Sequence, residues 1–499
     1  MSKQTSVYQE LGFQKTIAES IEMMCELYLS DSIPWVVGYS GGKDSTAILQ
    51  LVWMALRQIP AESRTKPVHV ISTDTLVENP VVAAWVTHSL DQMNQFAVKE
   101  GLPLKAHRLT PTVQDSFWVN LIGRGYPAPR HKFRWCTERL KIKPSNQFIS
   151  TLVRQNGEAI LVLGTRKAES ATRARTMAKH EARRTRDMLS PNASLPNSLV
   201  FTPVEAWTND DVWLFLMQVP NPWGYDNKDL LNMYQGASED GECPLVVDTS
   251  TPSCGDSRFG CWVCTLVEKD KSMAAMIQND VEKEWMLPLL ELRDALDVHD
   301  DRHLRDFRRM NGNVMAYKGR LIHGPYLQSS REDWLRRLLE AQTWVRENGP
   351  SYVRSLELIT PDELDEIRRL WVVEKCEIED RVPIIWREAT KTAWPGRSLD
   401  DCQPFSEADM QLLRSLCGDD RLLYEGTRNL LVTEWSQRTA LRRSGLLQEL
   451  EKELKKTSWK SEEDALAYRL RRRPEEDGPA MVTDGSAADI ADEEAHYDV

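Results

Sequence analysis

The sequence predicts an α/β protein in which a doubly wound parallel sheet is followed by a cysteine-rich loop region and a mainly helical C-terminal domain. Three observations lead there. Short apolar runs alternate with segments of helical period between residues 35 and 202, the arrangement that stacks helices on both faces of a parallel sheet. The first run, Trp35-Val36-Val37-Gly38-Tyr39, passes through Ser40-Gly41-Gly42-Lys43-Asp44-Ser45-Thr46 into the helix-like stretch Ala47 to Ile59. Beyond residue 219 the period is lost in loop carrying four cysteines, then returns as amphipathic helices. The expected boundaries are 1–219 for the sheet domain, 220–270 for the cysteine region, 271–473 for the helical domain and 474–499 for an acidic, disordered tail.

In chain order, Val7, Leu11, Ile17, Ile21, Met24, Leu27 and Leu29 recur at helical spacing, and Pro34 closes that helix before the first strand. A strand that ends in two glycines and opens a helix leaves unpaired N–H groups converging on one point, with the positive end of the helix dipole behind them. Such a turn cradles phosphate. It is not the Walker pattern, because three residues instead of four separate Gly38 from Gly42 and Asp44 stands where Ser or Thr should follow the lysine. A second strand, Val68 to Ile71, closes on Ser72-Thr73-Asp74-Thr75. Asp74 then sits at a strand's carboxyl end, where open α/β sheets bind ligands, and is a candidate for Mg²⁺ or a ribose hydroxyl, with Glu78 a weaker one. A helix over 81–100, a strand over 104–109, a strand over 159–163 and a last strand near 198–202 complete the sheet. The Arg-, Ala- and Thr-rich run 166–186 reads either as a helix or as a flap over the site.

Ser40-Gly41-Gly42-Lys43-Asp44-Ser45 resembles the PP-loop of the ATP pyrophosphatases (adenine nucleotide alpha hydrolase-like fold). The resemblance implies a cradle for the β,γ-pyrophosphate as leaving group, reaction at the α-phosphorus, and AMP as product. Two further stretches resemble the PAPS-reductase-like branch: Gly164-Thr-Arg-Lys-Ala-Glu-Ser-Ala-Thr-Arg173, and Phe201-Thr-Pro-Val-Glu-Ala-Trp-Thr-Asn-Asp-Asp-Val-Trp213. That likeness implies a sheet order of 3-2-1-4-5. It also implies nucleotide contacts from Ser40, Gly41, Gly42, Lys43, Asp44, Ser45, Thr46, Gly164, Arg166, Ser170 and Arg173, to which position at a strand end adds Asp74. Arg134-Trp135-Cys136 with Leu140-Lys141 and Pro144 also resembles the branch, and Cys136 among Arg134, Arg139, Lys141 and Lys143 is expected to have a lowered pKa. A buried structural cysteine is the competing reading.

Composition bounds the setting. With 28% charged and 41% apolar residues, and neither a membrane-length apolar run nor a secretory leader pattern, the expectation is a soluble cytoplasmic protein without a membrane partner. The net charge of −12 is concentrated: nine acidic residues and no Lys or Arg fall in 474–499. Residues 121–186 instead hold sixteen Lys plus Arg against four Glu, which suits a polyanionic partner. Arg305, Arg308, Arg309, Lys318 and Arg320 are further candidates for phosphate contact, although Asp300, Asp301 and Asp306 favour an internally paired helix face. Thr360-Pro-Asp-Glu363 is a helix-opening capping box.

Nine cysteines, an odd number with four between 243 and 264, do not suit a disulfide framework. Cys243, Cys254, Cys261 and Cys264 are spaced C-x10-C-x6-C-x2-C in bendable loop, which suits one metal site. Zinc and [4Fe–4S] both remain open; the single close pair favours the cluster. The order of cradle, Arg-Trp-Cys, Gly-Thr-Arg-Lys-Ala-Glu-Ser, Trp-Thr and quartet resembles the DndC family of DNA phosphorothioation over roughly residues 10–400. The resemblance implies a [4Fe–4S] cluster on those four cysteines and an enzyme, an ATP pyrophosphatase and sulfurtransferase, that helps replace a DNA phosphate oxygen by sulfur. It implies Lys43, Asp44 and Cys136 as catalytic groups, ATP and Mg²⁺ as cofactors, and DNA, a cysteine desulfurase and other phosphorothioation-complex proteins as partners. The Glu-Cys-Gly-Leu-His nucleophile of true PAPS reductases has no counterpart, so sulfite production is not expected. The alternatives are a tRNA-thiolating PP-loop enzyme and a DNA-binding iron–sulfur scaffold.

Overall fold

The computed structural model describes residues 6–131, 133–169, 171–182, 184, 186–192, 194–237, 260–396, 405–438 and 443–471. Ser170, Cys243, Cys254 and the acidic tail lie outside them. Two compact units emerge, one from residues 1–111 with 136–290, the other from 112–135 with 291–499.

The first unit is built on a six-stranded sheet. Strands β1 (Trp35–Gly38), β2 (Val68–Thr73), β3 (Leu104–Leu109), β4 (Ala159–Val162), β5 (Leu189–Pro191) and β6 (Ser198–Phe201) stand in the order β3-β2-β1-β4-β6-β5. All pair in parallel except the short edge strand β5, which runs antiparallel to β6. The five parallel strands therefore keep the expected order, and the edge strand is an addition that its Pro191 and three-residue length leave unmarked in the sequence. Strand pleating sends Trp35 and Val37 into a large core with Trp53, Trp213 and Trp223, and Val36 into a smaller one with Ile71, Ile149 and Leu152 on the opposite face. Each fully buried large side chain contributes about 2 kcal/mol of transfer free energy. The N-terminal helix is broken at Gly12 into Tyr8–Leu11 and Phe13–Leu29. The helix after the cradle begins at Lys43, four residues before the expected Ala47, so the second half of the motif forms its first turn. Ala171–Glu181 is helical, which decides the nature of the Arg-rich run.

The second unit is helical. Gln328–Asn348 is its longest helix, and Pro361–Arg369 opens on the expected capping box, with Glu363 N donating to Thr360 Oγ1 and Thr360 N to Glu363 Oε2. Residues 299–309 are not the helix the charge pattern suggested. Only Arg302–Leu304 forms a short 3-10 turn, and the charges pair locally in loop, Arg305 with Asp301 and Arg308 with Asp306. A hairpin of β7 (Ala316–Tyr317) and β8 (Arg320–Leu321) follows. Among the described residues no helix is long and apolar enough to cross a membrane.

Candidate functional site

At the carboxyl edge of the first unit's sheet lies a cavity of about 590 Å³, lined by Ser40, Asp44 and Ser45 of the cradle, Asp74, Gly164 and Arg108, with Ile71, Val86 and Leu163 as apolar wall. The cradle's backbone follows from its glycines. Gly41 has φ +76°, a left-handed conformation that side chains resist, and a Cβ there would lie 2.4 Å from Val86 Cγ2. Gly42 is the extended N-cap of the Lys43–Gln58 helix. Side chains brace the turn: Ser40 N donates to Ser45 Oγ (3.1 Å), and Ser45 Oγ and Thr46 Oγ1 donate to Gly42 O at 3.0 and 2.9 Å. Thr46 is thus buried in the brace. Lys43 Nζ lies 3.3 Å from Asp44 Oδ2 and 5.6 Å from the centre of the Tyr234 ring.

Arg166 is held inside the protein, with its side chain 4% exposed. Its Nε donates to Asp44 Oδ1 (2.8 Å) and its Nη1 to Trp207 O (3.3 Å), so it anchors the cradle carboxylate. Gly164 makes that approach possible, because a Cβ there would meet Asp44 O at 2.8 Å. Arg173 stands in the Ala171–Glu181 helix. Asp74 accepts from Leu76 N through Oδ1 (2.8 Å), and Arg108 binds its Oδ2. Arg108 was missed by sequence reasoning. Its signal is position: it is a polar residue near the carboxyl end of β3, in register with Ser72 of β2.

Residues 260–262, the described end of the cysteine loop, join this wall. Glu78 and Cys261 form an antiparallel bridge, flanked by Asn79 N donating to Gly260 O (3.2 Å) and Trp262 N to Val77 O (2.9 Å). Thr75 Oγ1 donates to Glu78 Oε1 (3.1 Å) and lies 3.3 Å from Cys261 Sγ, which is 3.8 Å from the same Glu78 oxygen. Lys141 Nζ, 3.3 Å from Glu78 Oε1, completes the group, and Glu78 and Lys141 both line the cavity. Burial, then the Glu78 charge, push the Cys261 thiol up to about 12, while Cys261 and Glu78 raise the Lys141 pKa.

Cys136 requires a correction. Its pKa is raised, not lowered: burial outweighs the help of Thr137 and Lys141, and Cys264 adds to the rise. The basic neighbours in sequence do not overcome the loss of water. Cys261 and Cys264 stand one turn apart, Cys264 N donating to Cys261 O at 3.1 Å, with Cys136 in electrostatic reach of both. Cys243 and Cys254, the other two members of the expected metal-binding quartet, lie outside the described residues. Among the described residues, no three His, Cys, Asp or Glu side chains form a set that could hold a metal ion.

Fold and cavity together define a PP-loop nucleotide site on a mostly parallel α/β sheet. Residues 34–266 match the phosphoadenosine phosphosulfate reductase domain, so this part of the chain is a PAPS reductase-like PP-loop domain. An uncharacterized protein of Methanocaldococcus jannaschii is 24% identical over 290 residues, covering 58% of this chain. The match takes in 46% of that relative, so the chain spans about half the length of the curated relative it matches. Among solved structures, the phosphoadenylyl-sulfate reductase of Candida auris in its phosphate complex is similar at 13% identity, over 45% of this chain and 93% of its own (TM-score 0.26). The U34-tRNA thiolase of Methanococcus maripaludis with its [4Fe–4S] cluster is similar at 15% identity, over 58% and 82% (TM-score 0.27).

Proposed function

We propose that the chain is an ATP pyrophosphatase and sulfurtransferase that activates a DNA backbone phosphate for replacement of oxygen by sulfur. The observation that carries this reading is the main-chain pairing of the Cys261 loop with Val77–Asn79 beside the nucleotide cavity, which brings thiol chemistry to the wall of the phosphate cradle. The basic excess over 121–186 and the likeness to the DndC family support DNA as acceptor.

In this reading a non-bridging oxygen of a DNA phosphate attacks the α-phosphorus of ATP, and pyrophosphate leaves into the cradle. The N–H groups of Gly41, Gly42, Asp44 and Ser45 and the Lys43 ammonium meet its charge, Ser40 N being engaged by Ser45 Oγ. Asp44, kept fixed by Arg166, and Asp74, bound by Arg108 in its absence, would hold Mg²⁺, which would offset the triphosphate charge. A sulfide-level sulfur then displaces AMP at the DNA phosphorus, AMP carrying away the attacking oxygen, so no net oxidation occurs. A cysteine desulfurase with a thiol reductant supplies that sulfur, within a larger phosphorothioation complex. Cys261 and Cys264, with Cys243 and Cys254, would hold a [4Fe–4S] cluster, which would supply iron–sulfide chemistry for the transfer.

ATP labelled at the α-phosphorus, incubated with the anaerobically purified protein and duplex DNA, should give AMP and pyrophosphate. ADP with orthophosphate would sink the reading. Stimulation by tRNA and not by DNA would transfer it to tRNA thiolation, and normal DNA modification by Lys43→Ala would leave only a scaffold role.

A further inference from the structure

The β7–β8 hairpin of the second unit has two unlike faces. The Ala316↔Leu321 pair belongs to the core side, where Val314 and Leu321 pack with Phe307, Leu422 and Ala465. The next pair, Tyr317↔Arg320, faces the other way, and Ile322 N donating to Met315 O (2.8 Å) extends the same outward face. Tyr317 is 62% exposed, and Met315, Ile322 and Arg320 are exposed with it. The tip is a tight turn with both central residues left-handed, Lys318 at φ 48° and Gly319 at φ 75°, and the Lys318 ammonium lies 5.4 Å from the centre of the Tyr317 ring. The base is rigid: Arg469 Nε donates to Val314 O (2.8 Å) and Trp459 Nε1 to Gly312 O (3.1 Å).

The helix Glu462–Arg471 packs on this hairpin with an acidic first turn, of which Glu462 is held by His323 Nε2 (2.9 Å). Arg302, Arg305, Arg308 and Arg331 are each ion-paired, with Asp300, Asp301, Asp306 and Glu377. Lys318 and Arg320 have no carboxylate partner among the described residues, and the sequence has no Asp or Glu from Phe307 to Arg331. A solubilising face would ordinarily mix signs and hide its aromatic. This one presents unpaired cations beside an exposed Tyr, Met and Ile on an anchored two-stranded ribbon, an element that enters DNA grooves with cations on phosphates and an apolar side chain against bases. We propose that this hairpin is a DNA contact, Lys318 and Arg320 neutralising backbone phosphates and Tyr317 meeting the bases or sugars. The inference rests on the DNA reading above and names a surface it would use.

The test is fluorescence anisotropy of a labelled duplex with the full chain across a salt series. For the wild type, log affinity should fall steadily with log salt. Lys318→Ala with Arg320→Ala should weaken binding about tenfold and flatten that slope by about two. Tyr317→Ala should weaken binding equally at every salt concentration, since an apolar contact releases no counterions. All three side chains are exposed, so unchanged circular dichroism and melting accompany these results. An unaltered slope in the double variant overturns the hairpin contact while leaving the DNA reading standing. Absence of duplex binding by the wild type overturns both.

Discussion

Cys261 pairs main chain to main chain with Glu78, and its sulfur lies 3.8 Å from the carboxylate Oε1 that also receives Thr75 and Lys141. The pair connects residues 183 positions apart and fixes the cysteine loop to the cavity wall. Glu78→Ala removes both a hydrogen-bonding carboxylate and a charge that raises the Cys261 thiol, so the alkylation rate of Cys261 in metal-free protein should rise by at least about tenfold, the equivalent of one lost hydrogen bond in the local opening equilibrium. Mass-spectrometric rates equal to wild type would show that the main-chain bridge alone suffices.

Arg166 and Asp44 form the second long-range tie, at 2.8 Å. Arg166→Ala leaves the Asp44 carboxylate with Lys43 alone and should cost about 2 kcal/mol, below the range for fully buried pairs because Asp44 is partly solvated and keeps that second cation. The double variant Asp44→Ala with Arg166→Ala should recover part of the melting temperature and none of the ATP cleavage. Recovery of cleavage would remove both residues from the site.

Gly41 is sensitive for two separable reasons, its φ of +76° and the 2.4 Å approach of Val86 Cγ2. Gly41→Ala is expected to cost about 2 kcal/mol from strain and overpacking, and to reduce pyrophosphate release more than a hundredfold by displacing the cradle N–H groups. Adding Val86→Ala removes the clash and leaves the strain, so stability should return only in part. Full activity in the double variant would assign the whole effect to packing.

Asp306 sets an acid limit for the second unit. Burial alone would raise its pKa, but Arg308 and Arg421 overcome that and hold it at about 2, below the unfolded value of 3.8. Its contribution is complete above pH 3.8 and is lost as pH falls towards 2, amounting to about 2 kcal/mol. Chemical denaturation of Asp306→Asn should show that much less change across this interval, and a parallel wild-type curve would count against the pair.

Much was legible from local pattern. The short apolar runs placed the five parallel strands, because a strand buried on both faces is written as consecutive apolar residues. Thr360 and Glu363 announced their helix because a capping box spans three residues. The cradle could be read at Ser40–Thr46, since its turn is made by its own glycines and hydroxyls. The charged run 299–309 misled, because helical charge spacing and local Arg–Asp pairing in loop produce the same string of residues.

By itself, then, the sequence determined the strands, the glycine-rich turn after the first of them and the presence of thiols, all of which depend on near neighbours in the chain, while the sheet order was implied only by family likeness. Only the tertiary structure decided that Arg166 is anchored behind Asp44, that Arg108 holds Asp74, and that Cys261 is joined to Glu78 at the cavity. It also decided the character of Cys136, whose basic sequence neighbours count for less than the water it loses. Burial and long-range pairing arise only when distant segments meet, and they set which charges are free to act.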